Sequence, residues 1–296
     1  MNDRTPGATT RLLGVAPEAF FILSASAQYL GAVIAVQLFD ELAPASVAWF
    51  RVIGAALILI AVSLPRLLRQ GMWTRAELGS AAIFGIAVAF MNLTFYLAIE
   101  RLDMGKGVAI EFIGPICVAA LTTRSRRNTL ALLLAATGVV VLSGIELGNE
   151  PLGLLFIFLA SACWAAYIVV GSRVARLDRG LAGLGVGLVI GAVAIAPFGA
   201  PSSGPAWSSP SLILLCSLVG LLSNAIGYGI EQSVFRVIPV RRFSVLLALL
   251  PVTAVVFGIL FLDQTPNLIE LFGIALVLAG VVAQQRDVLP AVEETA

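Results

Sequence analysis

Long apolar runs alternate with short polar or turn-rich breaks along the chain. Ten runs approach the roughly 20 residues that a helix needs to cross a hydrocarbon core about 30 Å thick. They fall at 17–38, 44–64, 77–98, 105–122, 128–145, 151–172, 180–200, 211–231, 240–261 and 267–285. The pattern predicts an all-α integral membrane protein of ten transmembrane helices. The first run is too long for the apolar core of a cleaved signal peptide and reads as an uncleaved helix. Residues 1–16 and 287–296 read as polar tails.

Composition agrees with this pattern. Of 296 residues, 59% are hydrophobic and 12% charged, against roughly a quarter charged in soluble domains, so no sizeable soluble domain fits beside ten spans. Net charge is only +1, which gives no nucleic-acid surface, but the positive residues are sorted by side. Arg4, Arg11, Arg66, Arg69, Arg75, Arg124, Arg126, Arg127, Arg173, Arg176, Arg179, Arg236, Arg241, Arg242 and Arg286 fall on one side, fifteen of eighteen. Arg101 and Lys106 fall on the other, with the acidic loops at Asp40-Glu41, Glu146, Glu150 and Asp263. The positive-inside rule then places both termini in the cytoplasm, as an even number of spans in the plasma (inner) membrane requires.

Ten spans divide into two five-helix repeats, 17–147 and 148–286, and an odd number of spans per half inverts one repeat relative to the other. Pro115 in the fourth span and Pro251 in the ninth occupy matching helices, with Asp103 and Pro239 twelve residues before them. Either the prolines are ordinary membrane-helix residues, or they break both helices where a cavity needs exposed backbone. Gly183, Gly187 and Gly191 form a small-residue stripe for close helix packing.

Charge within a span costs several kcal/mol, and two ionisable residues are deep. Arg51 lies seven residues into the second span and Glu111 six into the fourth. At 1.5 Å per residue both lie roughly 10 Å below the outer face. They are expected either to form a fixed ion pair locking two helices, or to divide a substrate between them, Arg51 taking a carboxylate and Glu111 an ammonium group or a proton. Gln28, Tyr29, Asn92, Tyr96, Trp164, Tyr167, Asn224, Tyr228 and Glu231 carry polar groups that should face the interior, as binding groups or as interhelical glue. Glu100 lies near a span end, within reach of interfacial water.

Enzyme chemistry finds little support. The chain has no histidine, hence no Ser-His-Asp triad and no H-E-x-x-H site, and no phosphate-binding G-x-x-x-x-G-K-[ST] loop. Cys117, Cys163 and Cys216 sit in apolar runs without metal-ligand spacing. No cofactor or metal is expected.

Three stretches carry a family resemblance: Met91 to Ile99 (MNLTFYLAI), Ala109 to Pro115 (AIEFIGP) and Ala162 to Ile168 (ACWAAYI), together with Gln28 and with Glu231 after Tyr228. The chain resembles the threonine and homoserine exporter subgroup of the EamA-type drug/metabolite transporters over its whole length. The resemblance implies inverted repeats around a central cavity, alternating access driven by an ion gradient, and Arg51 and Glu111 at family positions. Leu250 precedes Pro251 where many members carry Glu, and Asp263-Gln264 stands where Gly-Glu is common. The expected function is proton-coupled secondary export of small amino acids or related metabolites. A broader drug/metabolite exporter and a non-transporting membrane binding protein are the alternatives.

Overall fold

The computed structural model describes residues 17–69, 71–122, 125–174, 180–227, 230 and 249–284. Every regular element among them is helical: α1 (Pro17–Gln37), α2 (Pro44–Arg69), α3 (Arg75–Ile99), α4 (Met104–Glu111), α5 (Ile113–Thr122), α6 (Arg126–Glu146), α7 (Pro151–Val174), α8 (Gly180–Gly199), α9 (Gly204–Trp207), α10 (Pro210–Gly220), α11 (Leu249–Leu262) and α12 (Leu268–Gln284). A 3₁₀ turn at Leu38–Asp40 comes after α1, and a π-turn at Leu221–Ile226 continues α10. Among the described residues six stretches are long and apolar enough to cross a membrane: Ile22–Asp40, Pro44–Pro65, Arg75–Ile99, Arg126–Gly144, Pro151–Val170 and Ala182–Gly199. The tails, Pro239, Tyr228 and Glu231 lie outside the described residues.

Local sequence explains where helices start. α2, α7 and α10 open on Pro44, Pro151 and Pro210, where a missing N–H costs nothing and φ is already helical. Thr74 and Glu77 form a reciprocal capping box at the start of α3. Asn267 and Glu270 do the same for α12: Asn267 Oδ1 accepts from the Glu270 N–H and Glu270 Oε2 from the Asn267 N–H.

The helices form two apolar bodies. One gathers α4, α5, α6, α7, α11 and α12 around Phe112, Leu142, Ile157 and Val277. The other gathers α2, α3, α8, α9 and α10 around Val47, Leu93, Leu188 and Cys216. α1 contributes to both, and so does α3, whose Ala98 belongs to the first body and whose Phe95 packs against both. Close approach depends on glycine: a methyl group at Gly187 or Gly191 of α8 would strike the backbone of Ala81 or Gly85 in α3, the packing expected of the small-residue stripe.

The segment expected as the fourth span is divided into α4 and α5 by one residue, Phe112, rather than at Pro115, and Phe112 keeps helical φ and ψ. Proline lacks the N–H that would bond the carbonyl four residues earlier, so Pro115 frees the Glu111 carbonyl and the break appears beside it. Pro251 lies two residues after the first described residue of α11; the segment before it lies outside the described residues.

Candidate functional site

Arg51 lies on α2, 7% exposed, and its side chain does not reach Glu111. Its Nε donates to Asn224 Oδ1 at 2.9 Å, and its guanidinium stacks over the Tyr96 ring, 4.9 Å from the centroid. The backbone holds this arrangement rigidly. Gly220, just before the π-turn, lies so close that a methyl group there would meet the Arg51 carbonyl oxygen. The π-turn is pinned to α1 from the other side: Ser223 Oγ donates to the Gln28 carbonyl at 3.1 Å, and Ser24 Oγ to the Gly227 carbonyl at 3.0 Å. A π-turn adds a residue to the helical repeat and rotates the residues on its C-terminal side; here it carries Asn224 at the level of Arg51.

Glu111 ends α4 at the break, 7% exposed, with no hydrogen-bond or ion-pair partner among the described residues. No ion pair joins it to Arg51. The fixed Arg51–Glu111 pair that the sequence suggests is therefore absent. Arg51 spends its reach on Asn224 and on the Tyr96 face, because α2 and α4 belong to different apolar bodies. The site is a positive group on one body and a negative group on the other, separated across the seam.

The remaining sequence candidates divide. Tyr96 is fully buried and central. Gln28 packs against Gly227 and donates from Nε2 to Ser24 Oγ at 3.2 Å, which makes it a support of the π-turn. Trp164 meets Phe112 edge-on at 4.8 Å, beside the break next to Glu111. Asn92 turns back on its own helix, donating to the Val88 carbonyl at 2.7 Å, and Tyr167 packs on Phe84 at 5.0 Å; neither shows a contact to Arg51 or Glu111. Glu100 is exposed and pairs with Arg101 at 3.7 Å, in keeping with its place at a span end. Tyr29 is buried in the core at the edge of the first body.

Asn224 as the partner of Arg51 is the residue whose role the sequence left open. Its signal was the spacing Asn-x-x-x-Tyr, present at Asn92-Tyr96 and again at Asn224-Tyr228. A second arrangement was missed. Lys106 of α4 is buried and binds three carboxylates: Glu146 at 2.6 Å, Asp103 at 3.0 Å and Glu270 at 3.1 Å. It ties the ends of α4, α6 and α12 together. The Met104 N–H, donating to Gln264 Oε1 at 2.9 Å, adds the segment after α11 to the same knot.

Over 278 residues the chain is 32% identical to the threonine/homoserine exporter RhtA of Salmonella typhimurium strain SL1344, covering 93% of each protein. The chain belongs to the EamA-like transporter family. The family model matches residues 151–283. The threonine/homoserine exporter RhtA of Escherichia coli K12 is 31% identical over 278 residues, again 93% of each chain. The uncharacterized transporter YyaM of Bacillus subtilis strain 168 is 22% identical over 252 residues, 80% of this chain and 82% of its own. A crystal structure of a protein 18% identical in sequence superimposes with a TM-score of 0.58 over 90% of this chain and 94% of that one, so the two share a fold. As a family member this protein is a membrane transporter that exports small metabolites.

Proposed function

We propose that this transporter exports small amino acids of the threonine or homoserine type across the cytoplasmic membrane in exchange for protons. The observation that carries the reading is the unjoined pair of opposite charges, Arg51 and Glu111, both buried and lying on different helix bodies. An amino-acid zwitterion offers each charge its complement, a carboxylate to Arg51 and an ammonium to Glu111. The printed function of the RhtA relatives supports the same substrate class.

Glu111 holds a proton or a substrate ammonium, not both. Loading substrate from the cytoplasm releases the proton there, and a proton arriving from outside displaces the substrate outward. One proton enters for each amino acid that leaves. The broken helix beside Glu111 offers a hinge at which such loading shifts α4.

Ten spans in two inverted repeats, 17–147 and 148–286 with both termini cytoplasmic, complete the proposal. Its support is an exchange of contacts. Let α1, α2, α3, α4–α5 and α6 correspond to α7, α8, α10, α11 and α12. The contact of α3 with α7 is then matched by the π-turn with α1, α3 with α8 by α10 with α2, and α4 with α7 by α11 with α1. The pairs α2 with α8, α4 with α11 and α6 with α12 map onto themselves, as a two-fold axis relating the halves requires.

The test is uptake of labelled homoserine and threonine into inverted vesicles, with and without a pH gradient, for the wild type and Glu111→Gln. Gradient-dependent uptake lost in the variant is expected. A folded wild type that takes up neither amino acid would discard the substrate class; uptake indifferent to the gradient would discard proton exchange.

A further inference from the structure

Four donors at and beside the Arg51 guanidinium lack a well-aligned partner. The two terminal amino groups of Arg51 have no hydrogen-bond partner among the described residues. Asn224 Nδ2 is fully buried and unpartnered. The orientation of that amide is fixed, because an arginine N–H can bond only to the amide oxygen, which leaves the nitrogen as the free end. The Tyr96 hydroxyl is also fully buried; it lies beside Arg51 and Ser223 but makes no hydrogen bond of good geometry to either. Buried donors without acceptors are rare, because each costs about 1–3 kcal/mol. Several of them converging on one guanidinium suit an acceptor with two oxygens.

We infer that the substrate carboxylate is held by a cradle of Arg51, Asn224 Nδ2 and the Tyr96 hydroxyl, and that Asn224 and Tyr96 set the preference for ligands bearing a carboxylate. The inference rests on the amino-acid reading above and assigns one end of the substrate within it. The π-turn is what brings Asn224 to the cradle, and the Tyr96 ring lies beneath the guanidinium. Arg51 touches both Asn224 and Tyr96, so the carboxylate enters by parting them rather than by filling a preformed hollow.

Tyr96→Phe isolates the claim, since it keeps the ring beneath Arg51 and removes only an unsatisfied hydroxyl, a change that leaves folding intact or improves it. Asn224→Leu is the second variant. Inhibition of labelled homoserine uptake is measured with unlabelled homoserine and with 3-aminopropan-1-ol, the same skeleton without its carboxylate. Both variants are expected to weaken homoserine by tenfold or more, while 3-aminopropan-1-ol changes by less than twofold. Equal weakening of both probes, or no change in Tyr96→Phe, would overturn the cradle while leaving amino-acid export standing. If the wild type does not take up homoserine, thermal stabilisation of the purified protein by 4-hydroxybutyrate decides instead. Stabilisation lost in Tyr96→Phe upholds the cradle without the amino-acid substrate, and no stabilisation of the wild type removes both.

Discussion

Gly220 of α10 rests against the carbonyl oxygen of Arg51 on α2, closer than any side chain would allow. The depth of the guanidinium is thus set by a backbone contact. Gly220→Val should push α10 away from α2 and carry Asn224 off Arg51. Overpacking of this kind costs about 1–3 kcal/mol. A thermal-shift assay in detergent should register that loss, and transport should fall far more steeply than stability.

Lys106 answers to three carboxylates in a buried knot. Lys106→Met leaves Glu146 and Glu270 buried, facing each other without their cation, and should destabilise the protein by about 3 kcal/mol or more. Adding Glu146→Gln and Glu270→Gln should recover most of that loss. Melting temperatures of the single and triple variants check both steps; an unchanged single variant would remove Lys106 from the account of stability.

Pro115 withholds an N–H from the Glu111 carbonyl. Pro115→Ala restores it and should join α4 to α5 in one helix, raising the melting temperature. Transport should slow, because Glu111 loses its hinge. A variant that is stabilised yet transports normally would show that the break does not serve turnover.

Asp263 ends α11 with φ at 55°, the left-handed region. An L-residue is disfavoured there by roughly 1–2 kcal/mol, less for Asp than for most, and glycine carries no such penalty. Asp263→Gly should therefore be neutral or stabilising by up to about 1 kcal/mol, read as a small rise in melting temperature with export unaffected. Its neighbour Gln264 already caps α4 through the Met104 N–H, so the loop needs nothing else from position 263.

The features legible in the sequence and those hidden from it divide on physical grounds. Arg51 and Glu111 were legible because a charge in an apolar run has no other explanation, and their depth comes directly from helical rise. Their separation was not legible: depth along a helix says nothing of the direction a side chain faces, and Arg51 faces Asn224. The π-turn carries no composition of its own, so the rotation it imposes on Asn224 is invisible until the helix is built. Lys106 stood in the sequence beside the acidic loops of its side, but Glu146 and Glu270 are 40 and 164 residues away. Only the packing of α6 against α12 brings them to one lysine. Tyr228 and Glu231, named from the sequence, lie outside the described residues and take no part in this comparison.

Each apolar body draws helices from both halves of the sequence, so neither half owns a core. Pulling the sequence halves apart would open both interiors at once. The packing of α3 on α7 and the shared helix α1 also cross between the bodies, so the two interiors are stitched together as well as filled separately.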